Sequence, residues 1–170
     1  MAHVSSRLAI ADALVALLEI IPNPSTSQAL FELVKAGAVY DPGAATTWCE
    51  VLHFQGKGGP AGSGGNEIGW RIDDSMTLRV TSAVGPYEVD STAAERNMWA
   101  LQDILLPALR EHFQLPDASN PVNAVQSMYS MLVEAPDKST VMRFPNGHSY
   151  KLWDIFVTAK QQYNVELSVP

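Results

Sequence analysis

Cysteine is nearly missing from this chain. Cys49 is the single one among 170 residues, so no internal disulfide can form, and a reducing compartment is compatible. An excess of positive charge is missing too. Eleven Lys and Arg stand against 18 Asp and Glu, a formal net charge of −7. A sequence-independent DNA binder neutralises phosphates with Lys and Arg, and this balance argues against one. No run of like charge marks a nucleic-acid tail. Long apolar runs are scarce. Leu8 to Ile21 comes nearest, but Asp12 and Glu19 interrupt it, and it is too short and too charged to span a bilayer. No small-residue cleavage site follows it. It reads as a core helix, and no membrane association is expected.

Apolar residues make up 46% of the chain and charged residues 17%, which suits a globular protein. The length, residues 1–170, suits one domain. A chain of this size buries about two thirds of its unfolded surface, enough for a real core.

Periodicity organises the chain. Ser5 or Ser6 can cap a helix running to about Ile21, where Pro22 stops it. Ile10, Leu14, Leu17, Leu18 and Ile21 form its apolar stripe. "PNPSTS" is a turn, Gln28 to Ala36 is expected as a short helix ended by Gly37, and Pro42-Gly43 marks another turn. Thr47 to Phe54 reads as a strand. Ile68 to Ile72 reads as a second, Asp73-Asp74-Ser75 as a turn, and Met76 to Val84 as a strand with one face wet. Thr92 to Glu95 is a capping box. It opens a helix to about Phe113, kinked at Pro107, with Trp99, Leu105 and Leu109 expected in the core. Leu115-Pro116 ends it and "PDASNP" is a loop. Ser127 to Glu134 fits strand or helix. Val141 to Phe144 and Ser149 to Ala159 suggest a hairpin around Asn146-Gly147, and Tyr163 to Val169 an edge strand. The order argues for an α+β fold: a single domain with an antiparallel or mixed β-sheet and helices packed on one face.

One stretch invites a chemical reading, "FQGKGGPAGSGGNEIGW" from Phe54 to Trp70. A phosphate cradle reads G-x-x-x-x-G-K-[ST] and leads into a helix. Here Gly58 follows Lys57 where a hydroxyl belongs, Pro60 removes a donor N–H, and the sequence leads into a strand. The segment Gln55, Gly56, Lys57, Gly58, Gly59, Pro60, Ala61, Gly62, Ser63, Gly64, Gly65, Asn66 is therefore expected as a flexible arm between strands. It is the candidate partner-contact segment of the chain. A solvated linker with no partner is the plainer alternative.

No other pattern assigns a reaction. Cys49 and His53 would share one face of a strand, but two ligands do not close a metal site. His3, His112 and His148 are scattered, and His112 suits the last turn of its helix through the dipole. Gly62-Ser63-Gly64 is too short for a nucleophile elbow, and Gly147-His148-Ser149 sits at a hairpin. Asp73-Asp74 reads as a solvated turn. Trp48, Trp70, Trp99 and Trp153 read as packing residues. No catalytic residue, cofactor or metal is expected.

The whole chain resembles the tail terminator (tail completion) proteins of long-tailed bacteriophages. Four segments carry the resemblance: the helix "SRLAIADALVALLE", the strand pair "TTWCEVLHF…EIGWRIDDSMTLRVTS", the helix "TAAERNMWALQDILLPALREHF", and the ending "YKLWDIFVTAKQQYNV". The likeness lies in element order and spans most of the chain. Gln28 to Ala45 has no match in it. The resemblance implies a virion protein without enzymatic activity, assembled in the host cytoplasm. It implies a homo-oligomeric ring, usually a hexamer, on the head-proximal end of the tail tube. Such a ring stops tube polymerisation, meets the tail tube protein and a head–tail connector or neck protein, and lets DNA pass without sequence-specific binding. Other neck proteins, and a small-molecule-binding or enzymatic α+β domain, remain open beside it.

Overall fold

The computed structural model describes residues 7–64, 67–84, 91–111, 116–117, 120–124, 128–134, 140–143 and 149–166. The chain runs α1 (Arg7–Ile20), β1 (Leu33–Ala36), β2 (Thr47–Gly64), β3 (Glu67–Val84), α2 (Ser91–Glu111), β4 (Pro116–Asp117), β5 (Asn120–Ala124), β6 (Met128–Glu134), β7 (Thr140–Arg143) and β8 (Ser149–Glu166). Six strands form one mixed sheet in the order β1-β2-β3-β8-β6, with β7 also paired to β8. β1 lies parallel to β2, and every other pairing is antiparallel. The expected α+β class is borne out.

Alternation fixes the faces of the sheet, because side chains on a strand point to opposite sides in turn. Cys49 and Val51 of β2, Met76, Leu78 and Val80 of β3, and Trp153, Ile155 and Val157 of β8 all fall on one face. They form one core cluster with Ile10, Leu14, Leu17 and Leu18 of α1 and Met98, Leu105 and Leu109 of α2. Both helices therefore cover the same face. The α1 stripe is buried as its spacing requires, and Ile21 with it.

Trp99 departs from expectation. It is 54% exposed, whereas Leu105 and Leu109 are fully buried. Met98, Leu105 and Leu109 set the helix face, and a residue one position on is turned about 100° away from it. α2 begins at Ser91, so Thr92 lies within the first turn rather than capping it. Pro107 stays inside the helix.

The turns come out largely as read. Ser25 N–H donates to Asn23 Oδ1 at 3.0 Å, and Ala45 N–H to the Pro42 carbonyl at 3.0 Å. Gly37 and Gly43 take positive φ, 100° and 59°, a conformation open to glycine. β7 and β8 pair antiparallel from Arg143↔Ser149, so the expected hairpin is present, although residues 144–148 lie outside those described. The ambiguous stretch near Glu134 is strand.

Several expectations are corrected. The short helix at 28–36 is absent, and Leu33–Ala36 is instead β1, in register with Trp48 to Val51. A short apolar run cannot separate helix from strand by period alone. The turn at Asp73-Asp74-Ser75 is absent. β3 runs through it, held by β2 on one side and β8 on the other. The separate edge strand from Tyr163 is the distal part of β8, and Tyr163 pairs with Trp70. Part of the loop "PDASNP" belongs to the small β4–β5 hairpin.

The glycine-rich segment is corrected too. Residues 55–64 continue β2 and pair along residues 67–75 of β3. Glycine weakens a strand by roughly 0.5–1 kcal/mol per position relative to alanine. Here β3 offers a continuous ladder partner, itself backed by β8, and the backbone bonds outweigh the propensity. Gly65 and Asn66 lie outside the described residues.

Candidate functional site

β2, β3 and β8 each have 18 residues, roughly 60 Å at 3.3 Å per residue. The helices cover their proximal part. The candidate contact segment forms the outer rim of the distal part. Gln55, Lys57, Gly58 and Pro60 are exposed. Lys57 sits opposite Asp73, Gly58 opposite Ile72, Gly59 opposite Arg71, Pro60 opposite Trp70, and Gly62, Ser63 and Gly64 opposite Gly69, Ile68 and Glu67. Register shifts at His53/Gln55, where the segment starts, and at Pro60/Gly62, within it, are bulges, which add twist to an edge. Lys57 lies within a strand that is followed by another strand, so the geometry of a phosphate loop is not formed.

At the root of this segment stands a charge cluster. The Asp74 side chain is 4% exposed. Arg7, in the first turn of α1, donates from Nε to Asp74 Oδ1 at 3.1 Å, and His53 Nε2 lies 3.7 Å from the same oxygen. A buried carboxylate needs such partners. Gly56 makes the approach possible: a Cβ there would stand 2.7 Å from Arg7 Nη2 and 2.8 Å from Asp74 Oδ1. The cluster thus ties the start of α1 to the start of the glycine-rich strand. Sequence reasoning missed it by reading Asp74 as a turn. The signal was present, since Asp74 falls in phase with Met76, Leu78 and Val80.

The opposite face of the sheet carries a second charged row. Glu50, Arg79 and Asp154 lie side by side on β2, β3 and β8. Arg79 donates to both Asp154 oxygens, at 2.9 and 3.1 Å. Those hydrogen bonds raise the Arg79 pKa above its ordinary value. Glu50 is buried and accepts from Val39 N–H, which pins the loop after β1 across this face. Next to the row, Phe54 packs on Phe156 with ring centroids 5.9 Å apart. Phe54 is 64% and Leu132 44% exposed, so this face presents apolar surface.

Cys49 and His53 do not form a ligand pair. Cys49 is buried, and burial, with Glu50 adding to it, pushes its thiol pKa far up. That is a packed, inert cysteine. Among the described residues no three His, Cys, Asp or Glu are grouped to hold a metal ion, and no helix is long and apolar enough to cross a membrane. His3, His112 and His148 lie outside the described side chains. No protein-family model matches this chain, and no curated protein matches it.

Proposed function

We propose that this chain is a structural subunit of a bacteriophage tail, of the tail terminator class. It forms a homo-oligomeric ring, a hexamer by resemblance, on the head-proximal end of the tail tube. There it stops tube polymerisation and presents a surface to the head–tail connector or neck protein. It acts in the virion, is assembled in the host cytoplasm, and performs no catalysis. DNA passes through the ring without sequence-specific contacts, and an acidic subunit, −7 in formal charge, suits a channel along which phosphate must slide.

One observation carries the reading. The order of elements behind the resemblance folds as one α+β unit with both helices on one face of long strands. That leaves the other face, with Phe54 and Leu132 exposed, and the glycine-rich rim for contacts with other chains. Closed rings of identical subunits use two different surfaces of each copy, and the exposed apolar patch and the glycine-rich rim are two such surfaces that this reading can draw on.

The test mixes the purified protein with tail tubes. Native mass spectrometry is expected to show a ring, and electron microscopy to show it on one tube end with elongation stopped. A protein that stays monomeric alone and on assembled tubes would refute the proposal. Binding to connectors but never to tubes would move it to a neighbouring neck position.

A further inference from the structure

Among the described residues the mixed sheet has two open edges, and they lie at the same height. On one side, β1 covers β2 only along Trp48 to Val51. Beyond it, no described strand borders the outer side of β2. On the other side, β6 is the last strand. The registers can be read straight across the sheet. Leu132 of β6 lies opposite Thr158 of β8, Thr158 opposite Ser75 of β3, and Ser75 opposite Gln55 of β2. Likewise Glu134, Phe156, Thr77 and Leu52 share one row, and Met128, Gln161, Ile72 and Gly58 another. The open stretch of β6 thus spans the same rows as residues 52–58 of β2, just past the point where β1 stops.

We infer that residues 52–58 of β2 pair with β6 of a neighbouring copy, so that the sheets of adjacent subunits join edge to edge. This deepens the ring reading above and rests on it. Three features select a second copy as the partner. The first is direction. β2, β3, β8 and β6 alternate up and down, so a β6 placed beside the next copy's β2 meets it antiparallel. Antiparallel ladders are the more stable kind per residue. The second is level. Joining two edges on the same rows needs a rotation with almost no shift along the strands. A head-to-tail contact of that kind closes into a ring, whereas one with a rise builds a filament. The third is blocking. β1 at one edge and β7 at the other occupy the proximal rows, so neither edge can slide to pair there.

Glycine at 56 and 58 fits this role. Strand addition is made by main-chain hydrogen bonds, and an edge with few side chains admits a neighbouring backbone closely. The bulge at His53/Gln55 falls near the start of this stretch, and Pro60 lies just past its end. Such devices prevent indiscriminate edge pairing and leave a short window open between them.

Cysteine cross-linking tests the pairing, because Cys49 is fully buried and stays silent. In Gln55→Cys/Leu132→Cys, the two thiols of one chain sit three strand spacings apart, about 14 Å, too far for an internal disulfide. Between copies they would face each other across one ladder, with Cβ atoms about 5 Å apart. Mild oxidation is expected to give a ladder of 18.5 kDa multiples ending at the ring size. Either single variant is expected to give none. Gln55→Cys/Thr140→Cys, with the second site about 20 Å away along the strands, is expected to give none either. Lys57→Cys/Ser130→Cys repeats the test one row pair on. If native mass spectrometry shows a ring but neither matched pair cross-links, edge pairing is wrong while the ring reading stands. Dimers from a single variant would overturn head-to-tail order. A monomer under every condition, tail tubes included, would remove both.

Discussion

The proximal and distal halves of the same three strands are built on opposite plans. In the proximal half, β2, β3 and β8 carry Cys49, Val51, Met76, Leu78, Val80, Trp153, Ile155 and Val157 against the helices. In the distal half, β2 carries Gly56, Gly58, Gly59, Gly62 and Gly64, and charged residues line its neighbours. The backbone pairing runs on through both, with two bulges in the distal part of β2. Strand length is therefore not set by the core. Burial stabilises one half at roughly 25 cal/mol per Å² of apolar surface. The other half relies on its ladder and keeps its main chain accessible. One continuous element thus joins a rigid body to a surface suited for contacts.

The largest expected effect tests the proximal half. Leu105→Ala removes a fully buried side chain and should cost about 2–5 kcal/mol in urea unfolding. Lys57→Ala, in the distal half, should stay within about 0.5 kcal/mol and leave any incidental nucleotide affinity unchanged. Comparable losses at the two sites would show that the halves do not differ in the way described.

The junction comes next. Arg7→Ala strands the buried Asp74 carboxylate, with His53 3.7 Å away, and should cost about 1–3 kcal/mol, the penalty for an unsatisfied buried group. Asp74→Asn keeps the shape, removes the charge, and frees an Arg7 whose side chain is 64% exposed to be solvated. It should cost less. The order of the two midpoints is the readout, and the reverse order would mean that Arg7 does not serve to neutralise Asp74. Gly56→Ala should destabilise as well, since its Cβ would crowd both partners.

This contrast also explains what the sequence made legible. The α1 stripe, the alternation in Met76 to Val80, the α2 anchors Leu105 and Leu109, and the pairing of β7 with β8 were all readable. Each rests on local period or turn chemistry. The distal half was legible only in part: Ile68 to Ile72 read as strand, whereas the strand state of residues 55–64 and 73–75 comes from partners far along the chain. Glycine and Asp-Asp signals describe local preference, and a two-sided ladder overrides them. Asp74 reads as a turn residue until Arg7, 67 positions earlier, is brought to it. The same logic hid β1, whose pairing with Trp48 to Val51 no local pattern announces.

A smaller effect sharpens the distal half directly. At Gly59 a Cβ would meet nothing within 4 Å, and φ is not in the left-handed region. Gly59→Ala should therefore stabilise the isolated subunit by about 0.4–1 kcal/mol, mainly by restricting the unfolded chain. A loss of stability would show that the backbone there is not a regular strand.

The smallest effect concerns the face away from the helices. Trp48 and Thr81 are register partners, and both are buried. Trp48 Nε1 and Thr81 Oγ1 have no hydrogen-bond partner among the described residues. Trp48 also packs edge-on against Tyr150, with centroids 5.1 Å apart. A buried hydroxyl without a partner loses its hydration and gains nothing in return. Thr81→Val replaces it with a methyl of similar shape and should be neutral or stabilising by up to about 1 kcal/mol. Thermal unfolding of the variant beside the parent measures it. A clear loss instead, about 1 kcal/mol or more, would mean that Thr81 has a hydrogen-bond partner after all. That partner would have to come from an ordered water or from residues beyond those described, and this face would be more tightly organised than its apolar surface suggests.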